Sequence, residues 1–165
     1  MIRRLLVFAC ALALPLGLRA DQALVQVEPP NLQGSRPLEP LTASSVVRDY
    51  LQSWTAFRAA LNQNQPRLLS QDFVGTALTK LSHTIAEQNK LGLHTRYVDR
   101  SHHLQIVFYS PDGLSIQLVD HVVYDEQVIE GATVLATQPV HTRYLVVLTP
   151  SQTRWQVRFF QATTE

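Results

Sequence analysis

Cysteine occurs once in this chain, at Cys10, and nowhere after it. From residue 11 onward the chain therefore has no disulfide, no thiol nucleophile and no thiolate metal ligand. Glycine is sparse at six residues, and none of them build a phosphate-cradling loop or a Gly-x-Ser-x-Gly elbow. Paired-carboxylate motifs and zinc-type histidine spacings are also missing. Positive charge is scarce once the N-terminus is set aside. Three of the 14 Lys+Arg (Arg3, Arg4, Arg19) lie in the first twenty residues, and the 13 Asp+Glu outnumber those that remain. No basic stripe is left for nucleic acid.

The N-terminus has the three parts of a secretory signal. Arg3 and Arg4 form its charged region, and the 14 residues Leu5–Leu18 form the apolar one. Ala20 then offers a small residue before the cut. That apolar run falls short of the roughly 18 residues of a spanning helix, so residues 1–20 read as a cleaved signal peptide. The membrane then enters only through export, and the mature chain is expected to be periplasmic or extracellular. Residues 21–41 hold four of the nine prolines (Pro29, Pro30, Pro37, Pro40) and read as an extended linker.

One domain is expected over 42–165. Thr42, Ser44 and Ser45 offer N-cap hydroxyls before a helix with Val47, Tyr50, Leu51, Trp54, Phe57 and Leu61 on one face. Pro66 opens a short second helix through Ser70. A third runs from Asp72 to Leu91, with Val74, Leu78, Leu81 and Ile85 inward and Gly92 as the left-handed residue beyond it. The period then switches to two. Leu104, Ile106 and Phe108, then Leu114, Ile116 and Leu118, flank the turn Ser110-Pro111-Asp112-Gly113. A second strand pair spans Val140–Leu148 and Trp155–Phe160, with Trp155, Val157 and Phe159 on one side. The class is α+β: three N-terminal helices packed on a strongly curved antiparallel sheet, cone-like in outline.

Tyr50 and Trp54 on the first helix, the run Asn64-Gln65-Pro66-Arg67-Leu68-Leu69-Ser70 before Phe73, and the paired Tyr144-Leu145-Val146 and Trp155-Gln156-Val157 carry a resemblance. The pattern over about Thr42–Thr163 resembles the nuclear-transport-factor-2-like superfamily. Within it, the chain looks most like the domain that closes the plastid-division accessory protein family, with its Leu-Leu turn, Tyr-x-Val strand and Trp-x-Val strand. The resemblance implies a cone with an internal pocket. It leaves two functions open, since the superfamily holds isomerases and dehydratases as well as domains that only bind.

Asp120 is the one catalytic candidate. It continues the inward parity of Leu114, Ile116 and Leu118, and an acid desolvated there is suited to general-base work. A β-bulge near Val119–His121 would instead turn it outward. Tyr50, Trp54 and Tyr124 are candidates to line a ligand pocket, with core packing as their plain alternative. His102 and His103 are adjacent and face opposite ways along a strand, and His94, His121 and His141 lie on separate elements, so no metal is expected, and no cofactor. The leading expectation is an exported binding or protein-interaction module. Its partner would be an unidentified protein or a small apolar ligand, with a homodimer through the sheet as a further option. The runner-up is a small cofactor-free proton-transfer enzyme with Asp120 as base and Tyr50 or Tyr124 as donor.

Overall fold

The computed structural model describes residues 23–34 and 36–163. The signal peptide expected over residues 1–20 lies outside them. The order is β1 (Leu24–Val27), α1 (Pro40–Gln63), a 3₁₀ turn (Pro66–Leu69), α2 (Gly75–Lys90), β2 (Leu93–Tyr109), β3 (Ile116–Glu130), β4 (Thr133–Pro150) and β5 (Trp155–Thr163). The class is α+β as expected, with two corrections. Among the described residues two α-helices form instead of three, because Pro66–Leu69 is too short to close more than a 3₁₀ turn. The five-stranded sheet, ordered β1-β2-β3-β4-β5, is mixed rather than antiparallel, since β1 pairs parallel to β2.

That first strand lies in the segment read as a linker. Beyond it the chain keeps bonding along β2, with Glu28 N–H to Leu104 O, Asn31 N–H to Ile106 O and Gln33 N–H to Val107 O at 2.8–2.9 Å. The prolines set an extended path that follows the sheet edge.

α1 begins at Pro40, the helical position that tolerates a missing N–H. The expected capping hydroxyls sit inside the helix instead: Ser44 and Ser45 donate back to Leu41 O and Thr42 O. The helix ends at Asn64, held left-handed at φ 52° while its side chain donates to Leu93 O. Its inner face buries Val46, Tyr50, Trp54, Phe57, Ala60 and Leu61. These pack with Phe73 and Ala77, and with Leu104, Ile106, Leu118, Val122, Tyr144, Val146 and Val157 from one face of the sheet. Both helices cover that same face. Asp72–Val74 strengthens the seam by exchanging backbone bonds with Val157 at 2.8 and 2.9 Å.

Three bulges decide which residues enter the core. Register shifts at Arg100 and Val107 on β2 and at Arg158 on β5 each turn the following residues over. On β5 the shift brings Phe160 inside against Trp54, Phe57 and Phe73 and leaves Phe159 on the open face. Trp155, Val157 and Phe159 therefore do not share one side, contrary to the plain alternation. β3 pairs with β4 without interruption from Ile116 to Val128, so no bulge turns Asp120 outward.

Candidate functional site

Asp120 has no exposed surface. It lies inward between Leu104 and Tyr144 in the ladder, a position where a lone carboxylate is costly unless charge or hydrogen bonds meet it. Two groups do so. The Tyr50 hydroxyl donates to its Oδ2 at 2.7 Å, and His102 Nδ1 lies 2.7 Å from the same oxygen. α1 supplies the tyrosine because residue 50 sits on its inner face. β2 supplies the histidine because residue 102 alternates inward with Leu104 and Ile106, and the bulge at Arg100 brings Asp99, three residues away, to the same side.

The chain of contacts continues from His102. Its Nε2 stands 3.7 Å from Asp99 Oδ2, an ion-pair distance rather than a hydrogen bond. Asp99 Oδ2 also accepts from Trp54 Nε1 at 3.0 Å and forms an ion pair with Arg58 Nη1. Charge thus alternates along the series Asp120, His102, Asp99, Arg58. Burial alone would lower the imidazole's pKa. The hydrogen bond to Asp120 and the contact with Asp99, with the charges of both, outweigh that and raise it to about 9. At neutral pH His102 is an imidazolium between two carboxylates. Tyr50 is pushed up as well: burial first, then the charge of Asp120 and its hydrogen bond, hold the phenol well above its usual range. It acts as a donor, not a base. Asp120 Oδ1, Asp99 Oδ1 and Arg58 Nε find no partner among the described residues.

An open cleft of about 450 Å³ lies beside the Asp99 end, lined by Leu51, Trp54, Arg58, Asp99 and His102, with Ala23 and Val25 from the β1 edge. A second, of about 360 Å³, flanks Arg58 on the other side, against Tyr97 and Val98. Asp120 and Tyr50 line neither cleft.

Of the residues singled out from sequence, Asp120 and Tyr50 are in contact, and Trp54 joins them through Asp99 and His102. Tyr124 faces Asp99 in the ladder and packs edge-on to Trp54 at 6.0 Å between ring centroids, stacked on Tyr97 at 4.2 Å, with its hydroxyl 3.5 Å from that of Tyr144. It packs the cone and bounds neither cleft. The sequence reading missed His102, Asp99 and Arg58. A buried Asp120 implies a partner, and the adjacent histidines guarantee that one of the two faces inward, so His102 was within reach of argument. Asp99 was not, because simple alternation from His102 faces it outward. Among the described residues, no group of three or more His, Asp or Glu side chains is placed to hold a metal ion.

No family model matches the sequence, and no curated protein matches it. Solved structures do share the fold. The chain is similar to the intermembrane space region of chloroplast protein ARC6. The TM-score is 0.62 at 16% identity, over 79% of this chain and 100% of that one. It is also similar to the Kfla4162 protein from Kribbella flavida (TM-score 0.51, 9% identity, 73% of this chain and 91% of that one). A third is Aln2 from a Streptomyces species (TM-score 0.51, 12% identity, 77% of this chain and 93% of that one). At these identities the likeness is one of fold.

Proposed function

We propose that this chain is an exported, non-catalytic binding module, working in the periplasm or outside the cell. One observation carries the reading: the acid–base groups of the cone are spent on each other. Asp120 is fully buried and engages Tyr50 and His102. His102 already holds its proton at neutral pH, so it has no lone pair for abstracting another. General-base catalysis needs an unprotonated group within reach of a substrate proton; His102 already carries its proton, and Asp120 lines neither cleft. The export signal and the similarity to a domain named for the chloroplast intermembrane space support the placement. No helix among the described residues is long and apolar enough to cross a membrane.

The enzyme reading, a cofactor-free isomerase or dehydratase with Asp120 as base, is favoured by one fact. Tyrosine and histidine both lie within hydrogen-bond reach of the acid. Nitrogen NMR of the imidazole separates the two. The binding-module reading expects His102 shifts of an imidazolium at pH 7, with an Nδ1–H that exchanges slowly with water. A neutral ring at pH 7 with a rapidly exchanging proton would overturn it in favour of catalysis.

A further inference from the structure

The sheet face that the helices leave open carries a sorted pattern. Pairings across the strands place Gln117, Val147 and Phe159 in one row and Gln105, Val119, Leu145 and Gln161 in the next. The row after that is His103, His121, Arg143 and Thr163, and the one beyond it Ser101, Val123 and His141. An apolar block (Val119, Leu145, Val147, Phe159) thus abuts a row of nitrogen bases that crosses three strands. None of those four apolar residues packs on the core, and all are part-exposed. His103, His121 and His141, with Ser101, Val123 and Thr142, surround a shallow depression of about 150 Å³ beside them. The nearest carboxylates are occupied: Asp125 holds Arg100 at 2.5 Å, and Glu28 at the β2 edge takes Gln105 at 3.1 Å.

Resting on the binding-module reading, we infer that this open face is the docking surface, and that its occupant is a partner protein segment with an apolar stripe bordered by carboxylates. Charge complementarity selects that partner. Apolar contact supplies the area, and the fixed cation of Arg143, with the ring nitrogens of His103 and His121 in the same row, sets the partner's carboxylates in register and excludes cationic competitors. A second copy of this chain fits less well, because its own open face brings the same row of nitrogen groups and, among the described residues, no unengaged carboxylate. Part-exposed apolar side chains grouped with a polar rim on one side form the anatomy of a protein-binding patch.

The test uses the processed protein and two synthetic amphipathic helical peptides that share one leucine stripe, flanked by glutamates in one and by lysines in the other. The glutamate peptide is expected to bind about tenfold or more tightly than the lysine peptide, and to weaken as salt is raised. Amide shifts should centre on Val119, Leu145 and Val147. Arg143→Glu should abolish the preference while leaving the unfolding midpoint in place, because Arg143 is exposed. Equal binding of both peptides, or of neither, would overturn the inference. Shifts confined to Leu51 and Trp54 would overturn the surface and leave the binding-module reading intact. A concentration-dependent dimer that protects Val119 and Phe159 from exchange, or attachment to phosphatidylglycerol vesicles in preference to the glutamate peptide, would overturn the partner assigned here. None of these outcomes depends on the protonation state of His102, which tests the parent reading separately.

Discussion

Raising the pH through the slightly alkaline range is expected to strip stability from this fold through a single imidazole. His102 titrates at an ordinary 6.5 in the unfolded chain and at about 9 in the folded one. The folded pKa is the higher, so the contribution is fully present below pH 6.5, falls between 6.5 and 9, and is gone above 9. In that window the native state holds one proton more than the unfolded state, and stability drops by about 1.4 kcal/mol per pH unit, about 3 kcal/mol in all. Urea unfolding followed by tryptophan fluorescence from about pH 6 to 10 measures it directly. His102→Gln supplies the control. It should lose about 3–5 kcal/mol at pH 6.5, because Asp99 and Asp120 are left buried without the cation between them. Its profile should then stay nearly flat to about pH 9, and the two curves should converge. Other titrating groups are common to both proteins and cancel in the difference. Parallel curves, or a wild-type stability that holds or rises across this window, would refute the clamped imidazolium.

Asp120→Asn keeps the shape but removes the charge that Tyr50 and His102 address. Stability at pH 7 should fall by about 2–3 kcal/mol, the scale of hydrogen bonds to a charged group. A lone desolvated acid would give the opposite sign, so an unchanged or raised urea midpoint would contradict the pairing. Phe73→Ala should cost about 3–5 kcal/mol, since the ring is wholly buried between Phe57 and Phe160. Trp155→Ala should cost less than half of that, because the indole only borders the core. Equal losses in paired denaturation curves would contradict this placement of the two aromatics.

What could be read in advance, and what could not, follows from where each residue's orientation is decided. The inner face of α1 is a local property of a 3.6-residue period, so Tyr50, Trp54 and Phe57 were legible. So was Asp120, because β3 runs through Val119–His121 without a bulge, and alternation from Ile116 then fixes its side. β1 was not, since Leu24–Val27 becomes a strand only by borrowing the distant edge of β2 at Ser101–Leu104. Asp99 was hidden for a sharper reason. Period two places residues 99 and 102 on opposite faces, and only the extra residue at Arg100 unites them. That bulge has no glycine to announce it. Its justification is tertiary: with Asp99 turned out, Arg58 and the Trp54 indole N–H would lose their acceptor, and His102 would keep one carboxylate instead of two. The bulge at Arg158 follows the same logic, trading an alternation that would bury Phe159 for one that slots Phe160 among Trp54, Phe57, Phe73 and Tyr144. In both strands the register slips where the core gains a partner that the local pattern denies it. Asp99, the residue least visible in the sequence, is therefore the one that ties His102 to Arg58 and Trp54.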